Sequence, residues 1–352
     1  MTHELAQHLS GTWIMRRAPF FAMRKRIELA TETALASARA SYSDREPSLK
    51  VTGDVAVIDV CGPITYKRSW FSSYFGLVSV EDLQAQFRMA LADPSVRTIA
   101  WRWDTPGGMV DFISEFADEI YAARGQKPML SFADTMIASA GIWLASQTDT
   151  IHVSASSEVG SVGAYLAHAE YSAMLEKEGI KYTLISYGKH KVDGNPVEPL
   201  SEEALEEFQA VIDKIGGEFD GAMARGRGVT KAVVRESFGQ GKMFRGKDAI
   251  TAGLADKTGT FGQVVGRLTK RRGASAEVGD VAAQVSAPLA AAPLVEKSDE
   301  GVEPDKAGNC QEGYEKRDGM CYPAEGAKAD VIAPAPMATD DDEAAMLAAI
   351  TE

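Results

Sequence analysis

The sequence contains few cysteines, few histidines and no long uninterrupted run of apolar residues. Three of its 352 residues are cysteine and five are histidine, which is too little cysteine for the disulfide framework of a small secreted domain. A run of about 18 apolar residues, the length that predicts a transmembrane helix, occurs nowhere. Residues 1–5 lack the basic and apolar segments of a signal peptide. We therefore expect a soluble, cytoplasmic protein without a membrane span.

Positive charge is also scarce. The chain carries 50 acidic and 37 basic residues, a net charge of −13. Binding to nucleic acid requires clustered Lys and Arg that neutralise phosphates, so we expect no nucleic-acid partner. The one basic run, from Arg16 to Arg26, is typical of a solvated helix face. A hydrophobic fraction of 45% is ordinary for a globular protein with a core.

The cysteines predict neither a metal site nor a cofactor. Cys61 ends an apolar run that begins at Val55, so we expect it to be a small buried core residue. Cys310 and Cys321 flank a polar segment, which could be a local loop in oxidised or reduced form, or could share a metal. Without a nearby pair of histidines they would make a poor zinc site.

Composition divides the chain into three segments. Residues 1–48 are rich in helix formers and predict an N-terminal helical arm. Residues 49–272 carry the strand and helix patterns of a globular domain. Residues 273–352 are rich in Ala, Pro and acidic residues, a composition that predicts a mostly disordered tail.

Within residues 49–272 strand patterns alternate with helix patterns, which predicts βαβ crossovers and an α/β fold with a mainly parallel sheet. Ser79 and Asp82 have the spacing of a helix-capping box, and Ser201 is expected to cap a long helix. The predicted strands are residues 55–60, 98–103, 129–133, 150–153 and 182–186.

A serine, a glycine pair and a lysine stand where predicted strands end. Ser139 lies between small residues at a strand-to-helix turn, Gly107 and Gly108 follow the strand at 98–103, and Lys191 follows the strand at 182–186. A serine hydroxyl attacks when a base takes its proton, and a neutral lysine can be that base. A glycine turn can offer N–H groups to an oxyanion. Together they predict a serine hydrolase that does not use histidine.

Each of these residues also has an ordinary structural interpretation. Taken alone, Ser139 is a common helix N-cap, the glycine pair is a turn, and Lys191 is a solvated surface lysine. Lys189 and His190 compete with Lys191 for the same role.

A Ser-His-Asp triad is the alternative chemistry. Ser139 could be paired with His152 or His168 and a carboxylate. His152 alternates with apolar residues on a short predicted strand, and neither histidine has glycine-rich or acidic neighbours. Both are more typical of hydrogen-bonded structural histidines.

The order and spacing of the motifs resemble peptidase family S49, the signal peptide peptidase A-like Ser-Lys proteases of the ClpP/crotonase superfamily. The resemblance covers residues 51–261, and its departures are small, since Thr105 replaces a serine, Ala140 a frequent glycine and Ala164 a valine. The motifs that carry it are residues 104–108 (D-T-P-G-G), 138–143 (A-S-A-G-I-W), 160–164 (G-S-V-G-A), 188–191 (G-K-H-K) and 241–256.

This resemblance implies a Ser-Lys protease domain over residues 49–272, with a ClpP/crotonase-like fold of repeated ββα units. It implies that Ser139 is the nucleophile, that Lys191 is the general base, and that Ser161 orients the lysine amine. Backbone N–H groups of Gly108 and Ala140 would form the oxyanion hole. No cofactor and no metal enter this chemistry.

The lone catalytic unit and the acidic tail further resemble phage head-maturation proteases, in which a protease is fused to a scaffold-like C-terminal region. That resemblance implies a ring-shaped homo-oligomer acting within the procapsid on scaffold, capsid or portal proteins, with Ser and Lys from the same or adjacent subunits. The alternatives are a housekeeping peptidase that degrades signal peptides, a non-catalytic capsid assembly scaffold, and an acyl-CoA enzyme of the crotonase type. The last has no need for a Ser-Lys pair.

Overall fold

Strands and helices alternate along most of the chain that the computed structural model describes, which comprises residues 13–15, 17–43, 46–270, 314–317 and 320–323. Two compact units divide it, within Met1–Ala287 and within Pro288–Glu352. The described strands are β1 Trp13–Met15, β2 Lys50–Thr52, β3 Val55–Cys61, β4 Ile64–Thr65, β5 Val78–Ser79, β6 Thr98–Thr105, β7 Gly107–Met109, β8 Met129–Ala138, β9 Thr150–Val153, β10 Glu158–Gly160, β11 Met243–Arg245, β12 Lys257–Thr258, β13 Tyr314–Arg317 and β14 Met320–Pro323.

Helices occupy the connections between most of these strands. The described helices are α1 Arg17–Leu29, α2 Glu32–Ser41, α3 Trp70–Phe75, α4 Val80–Ala92, α5 Ile113–Ala122, α6 Ala140–Ala145, α7 Ser172–Lys177, α8 Glu202–Arg227, α9 Lys231–Ser237, α10 Lys247–Thr251 and α11 Phe261–Lys270. None of the helices in the described part of the chain has both the length and the apolar character needed to cross a bilayer.

The predicted helix caps are confirmed at both positions. The Ser79 hydroxyl accepts a hydrogen bond from the backbone N–H of Asp82 at 3.0 Å, where α4 begins. The Ser201 hydroxyl accepts from the N–H of Ala204 at 3.1 Å, where α8 begins. Each bond satisfies an amide that has no acceptor within its own helix.

A mainly parallel sheet forms the centre of the first unit. Its strand order is β11-β10-β8-β6-β3-β2, with β9 on β8 and β12 on β9. The pairs β3–β6, β6–β8, β8–β9, β8–β10 and β9–β12 are parallel, whereas β2–β3 and β10–β11 are antiparallel. The predicted mainly parallel α/β fold is therefore confirmed.

A second sheet of the same unit has the order β1-β7-β4-β5. The chain passes from the large sheet to the small one between β6 and β7, at the predicted glycine turn. Strand β1 comes from the N-terminal arm and pairs antiparallel with β7. The arm contains helices α1 and α2, in agreement with its helix-forming composition, and also strand β1, which its composition does not predict.

Aromatic side chains fill the core between the large sheet and the helices. Trp101 and Trp103 are fully buried on β6 and their rings stack with centroids 5.6 Å apart. The indole N–H of Trp103 donates to the Ser131 hydroxyl at 2.9 Å. Trp143 stacks on Phe219 of α8 at 4.5 Å, which fixes α6 against that long helix.

Strand β8 contains a bulge opposite the end of β6. Trp103 lies opposite Ala133, but the next residue of β6, Asp104, lies opposite Met136. Two additional residues of β8 are thus accommodated just before the strand reaches Ser139. Met129, Ala133 and Ile137 nevertheless all belong to the same core, because an even number of added residues preserves which face each side chain occupies.

Two predictions about local structure are wrong. Residues 182–186 form no strand, and the side chain of Ile185 is 94% exposed. Cys61 is exposed rather than buried, because it shares the solvent-facing side of β3 with Asp59, two residues earlier.

In the second unit, the described residues form an antiparallel hairpin of β13 and β14. Cys321 lies on β14 opposite Lys316. Cys310 and most of the predicted tail at 273–352 lie outside the described residues, so the pairing of Cys310 with Cys321 stays a prediction.

Candidate active site

Ser139 sits at a strained turn between strand β8 and helix α6. Its backbone has φ 54° and ψ −115°, in a region that non-glycine residues rarely adopt. Its N–H donates to the carbonyl oxygen of Gly160 at 2.9 Å, and its own carbonyl accepts from Trp143 at 3.0 Å. Both neighbouring elements thus hold the strained conformation in place.

The Ser139 side chain is buried yet unused. The residue is 1% exposed, and its Oγ makes no hydrogen bond to any group in the described part of the chain. A buried hydroxyl without a partner is costly. Strain and an unsatisfied polar atom at one residue are the usual marks of a functional site.

Small residues around Ser139 allow the glycine turn to approach it. A Cβ added at Gly141 would overlap the Thr105 Cγ2 methyl group, so only glycine fits where α6 passes the end of β6. Helix α6 also contacts strand β7. The motif at 104–108 and the motif at 138–143 therefore lie side by side.

The Thr105 hydroxyl organises the glycine turn. It donates to the carbonyl of Gly62 at 2.8 Å and accepts from the N–H of Gly107 at 3.2 Å. Gly107 has a φ of 102°, which glycine adopts without strain. The hydroxyl of Thr105 is thus occupied in shaping the turn.

The motif at 160–164 reaches Ser139 through strand β10. Gly160 lies beside Ala138 in parallel register, and Ser161 follows with a φ of 56°. The N–H of Ser161 donates to the carbonyl of Lys242 at 2.8 Å. A Cβ at Gly160 would overlap that same carbonyl oxygen, which explains the glycine.

The last residue of the motif at 241–256 ties the sheet to helix α8. The Asp256 carboxylate accepts from the N–H of Ile151 at 2.7 Å and from Arg227 Nη1 at 3.0 Å. Burial alone would raise the pKa of Asp256, but the hydrogen bond and charge of Arg227 lower it below its ordinary value. Asp256 is therefore a structural anchor.

Lys191 lies in a different environment. Its side chain is exposed, and residues 181–200 contain no helix or strand. Lys189 forms an ion pair with Glu203 of α8. His190 Nδ1 lies 2.9 Å from Asp193 Oδ2 and 3.5 Å from Glu207 Oε1.

These carboxylates set the charge of the segment that carries Lys191. The hydrogen bond to Asp193, followed by the charge of Glu207, raises the pKa of His190 above its ordinary value of 6.5. The hydrogen bond and charge of Glu203 raise the pKa of Lys189. Within one chain, Lys189 is thus paired with Glu203, and His190 contacts Asp193 and Glu207.

The structure brings most of the predicted site together, but not all of it. Ser139, Ser161, Ala140 and the turn at Gly108 share one end of the large sheet. Lys191 makes no hydrogen bond to Ser139 Oγ, which has no hydrogen-bond partner among the described residues.

The histidine alternative receives no support from the geometry. His152 Nε2 lies 3.3 Å from Thr150 Oγ1, and His168 Nε2 lies 3.2 Å from the carbonyl oxygen of Asn195. Neither histidine is hydrogen-bonded to Ser139 Oγ, which is without a partner in the described part of the chain. Within the described part of the chain, neither histidine therefore forms a triad with Ser139.

Sequence reasoning missed the strained backbone at Ser139 and Ser161. The only signal for it was the set of small and glycine neighbours, which also fits an ordinary turn. It also missed β1, because three residues are too few for a periodic pattern.

Comparison with known proteins agrees with the motifs. The sequence model of peptidase family S49 matches residues 112–275. The capsid assembly protease C of Escherichia phage lambda is 35% identical over 233 residues, covering 65% of this chain and 53% of that protein. The head-tail preconnector protein GP5 of Enterobacteria phage P21 is 32% identical over 208 residues, covering 59% of this chain and 41% of that protein.

More distant relatives carry other names. Protease 4 of Haemophilus influenzae is 26% identical over 230 residues, covering 64% of this chain and 36% of that protein. A solved structure of a ClpP1 mutant from Listeria monocytogenes has a TM-score of 0.37 and 11% identity, covering 58% of this chain and 91% of that chain. The chain spans about half the length, or less, of the curated relatives named here.

Proposed function

We propose that this chain, whose residues 112–275 belong to peptidase family S49, is a serine endopeptidase with a Ser-Lys dyad. The observation that carries the proposal is Ser139 itself, which is strained, buried and without a hydrogen-bond partner among the described residues. No structural role accounts for that combination, whereas a nucleophile awaiting its base does.

The chemistry proceeds in two steps. Lys191 in its neutral form takes the proton of Ser139 as Oγ attacks the peptide carbonyl, and the N–H groups of Gly108 and Ala140 stabilise the oxyanion. The lysine then gives the proton to the leaving amine, and an acyl-enzyme remains on Ser139. Water, deprotonated by Lys191, hydrolyses the ester and releases the second product. Ser161 holds the lysine amine in line.

The lysine of each site comes from a second copy of the chain. Residues 181–200 expose Ile185 and Tyr187 almost completely, although their β-forming pattern predicts a half-buried surface. Exposed apolar patches of this kind mark protein contacts. Burial of this segment on a neighbour would place Lys191 in an apolar setting, which lowers a lysine pKa and yields a neutral base. The resulting assembly is a homo-oligomer, which closes as a ring if each copy supplies its Lys191 to the site of the next copy.

The substrates are proteins of a phage head. The named phage relatives are 35% and 32% identical to this chain, against 26% for Protease 4 of Haemophilus influenzae. We infer that scaffold, capsid or portal proteins are cleaved within the procapsid, in the host cytoplasm. The acid-rich segment at 273–352 then serves as a scaffold-like tail beside the protease domain at 49–272.

Fluorophosphonate labelling tests the nucleophile directly. We expect the purified chain to be labelled at Ser139 and to cleave dye-labelled casein, and we expect Ser139→Ala and Lys191→Ala each to abolish cleavage. Matched controls are Ser156→Ala and Lys181→Ala, which change exposed residues of the same types. Casein cleavage that persists in Ser139→Ala or Lys191→Ala would contradict the dyad.

Two further outcomes separate the alternatives. A chain that is never labelled and never cleaves casein is a non-catalytic assembly protein. Co-expression with capsid-operon proteins and with a signal peptide, followed by mass spectrometry, distinguishes head maturation from signal-peptide degradation by which of the two is cut.

A further inference from the structure

Strand β1 of the N-terminal arm lies along the edge of β7, beside the proposed oxyanion glycine. The two strands are antiparallel, and Ile14 lies directly opposite Gly108. The other edge of β7 is paired with β4, where Ile64 lies opposite Gly108. Within the described part of the chain, both edges of β7 are thus already occupied.

Side chains of the arm hold β1 in this position. Met15 is 3% exposed and belongs to an apolar cluster with Phe20 and other residues of α1. Phe20 packs edge-on against Tyr165, with ring centroids 5.9 Å apart. Arg24 Nη2 donates to the Tyr171 hydroxyl at 3.1 Å. Tyr165 and Tyr171 follow Ser161 along the chain, so the arm contacts both the strand that contains Gly108 and the segment after Ser161.

The arm packs through a cluster that it shares with helix α3 rather than through the main core. This arm cluster consists of Met15, Phe20, Met23, Ile27, Leu35, Phe71 and Phe75, none of which belongs to the core around β6. A cavity of about 370 Å³ is lined by Met23 and Ile27 from the arm and by Tyr66 and Met109 from the body. An arm attached through a separate cluster beside a cavity can move without opening the core.

A substrate peptide needs the edge of β7 that β1 holds. Extended peptides commonly bind by adding a strand to a sheet edge, and the scissile carbonyl must lie at the N–H of Gly108 for its oxyanion to be stabilised. Strand β1, which runs antiparallel to β7 with Ile14 opposite Gly108, occupies that place. The Ser139 hydroxyl, buried and without a partner among the described residues, is then closed off from any substrate.

We propose that β1 occupies the peptide-binding edge of β7, so that the arm must leave before a substrate can bind. This inference rests on the proposed function and concerns the regulation of the same site. Residues 13–15 of the chain itself occupy the substrate position, and release of the arm makes the peptide-binding edge of β7 accessible.

A charge introduced at the buried end of β1 tests the proposal. Met15→Asp places a carboxylate in the apolar cluster, whereas Leu29→Asp makes the same change at an arm residue that is 71% exposed. We expect Met15→Asp to raise kcat/KM for dye-labelled casein by about tenfold or more, because the apparent rate scales with the fraction of open molecules. Leu29→Asp should leave the rate at the wild-type value.

A reversible lock tests the opposite direction and does not depend on the folding of Met15→Asp. Trp13 and Met109 lie directly opposite each other, a separation of about 5 Å between Cα atoms that suits a disulfide. Trp13→Cys with Met109→Cys, in a background with Cys61→Ser, Cys310→Ser and Cys321→Ser, should cleave casein at least about tenfold more slowly when oxidised than after addition of dithiothreitol.

Labelling with a fluorophosphonate separates the possible failures. Labelling at Ser139 combined with equal casein cleavage in wild type, Met15→Asp and Leu29→Asp would overturn the role of the arm and leave the proposed function standing. An oxidised double-cysteine chain as active as its reduced form would do the same. Absence of both labelling and cleavage in every chain would overturn both proposals.

Discussion

The two halves of the proposed dyad lie in opposite kinds of structure. Ser139 ends a strand at the centre of the large sheet, and its neighbours Ala138 and Ala140 are completely buried. Lys191 lies in a segment of 20 residues, 181–200, without helix or strand. The nucleophile is fixed by its own chain, whereas the base is not.

This difference shows how the site is put together. Strained backbone at Ser139 survives only where the surrounding sheet determines it, so the nucleophile and the glycine turn belong to one folded body. Exposed apolar side chains such as those of Ile185 and Tyr187 are typical of a surface that contacts another protein. Under the proposed function the site is completed by assembly, and variants in either half test this.

The largest effect is expected from mixing two inactive variants. Ser139→Ala and Lys191→Ala should each lose casein cleavage by at least about 10²-fold. Equal amounts mixed under conditions of subunit exchange should recover about one quarter of the wild-type activity, because in the proposed oligomer each site takes its serine and its lysine from different chains. The measurement is casein cleavage before and after mixing.

The control for this experiment is each variant mixed with itself. If the mixture of the two variants is as inactive as the separate chains, although mass spectrometry shows mixed oligomers, serine and lysine come from the same chain.

The next effect concerns assembly. Ile185→Asp should weaken association by about 10- to 100-fold, because burial of one large apolar side chain contributes about 1.5–3 kcal/mol. Sedimentation velocity at several concentrations measures the shift towards monomer, and casein cleavage should fall with it. Met89→Asp, at a residue of α4 that is 39% exposed, is the matched control. Unchanged association of Ile185→Asp would show that residues 181–200 are not the interface.

A third effect is expected on the folding stability of the part of the site that contains Ser139. Gly160→Ala should destabilise the fold by about 2–4 kcal/mol, since its Cβ would meet the carbonyl oxygen of Lys242 at a φ of 142°. Gly216→Ala, in α8 with open space around it, should stabilise by about 0.5–1 kcal/mol. Denaturant unfolding measures both. Equal stability of the two variants would mean that Gly160 is not crowded.

The smallest effect is the pH dependence of the contacts that His190 makes in the segment at 181–200. The pKa of His190 is raised above 6.5 by Asp193 and then by Glu207, so its contact with these carboxylates is fully present below pH 6.5 and is lost as the pH rises through the raised pKa. NMR titration should show His190 titrating above its ordinary value. Asp193→Asn should return it towards 6.5, and an unchanged midpoint in that variant would contradict the assigned cause.

The opposite pH dependence is expected for Asp256, which lies in the part of the protein that contains Ser139. The pKa of Asp256 is lowered from its ordinary value of 3.8, so its contribution to stability is present above that value and is lost only as the pH falls through the lowered pKa.

The sequence was most informative where geometry demands special residues. Gly141 and Gly160 are required by close approach of other atoms, and such positions leave a readable pattern. The buried strands and the caps at Ser79 and Ser201 were predictable for the same reason, since local chemistry determines them.

Residues whose structure depends on distant partners were not predictable. The pattern at 182–186 is that of a strand, but within the described part of its own chain it lies on no sheet, and β-propensity reports the fit to such a surface. Strand β1 is held by the edge of β7 and by Met15 in the arm cluster, neither of which local sequence reveals. Cys61 faces solvent because of alternation along β3, which its apolar neighbours concealed.

The bulge in β8 has a consequence for how this stretch can change in length. Two added residues between Ala133 and Met136 keep Ile137 on the same face as Ala133. A change by one residue would turn Ile137 out of the core and send Ser139 to the opposite side of the sheet. Homologous chains in which the serine faces the glycine turn should therefore differ in this stretch by zero or two residues. An odd difference in length would place the serine on the opposite side of the sheet.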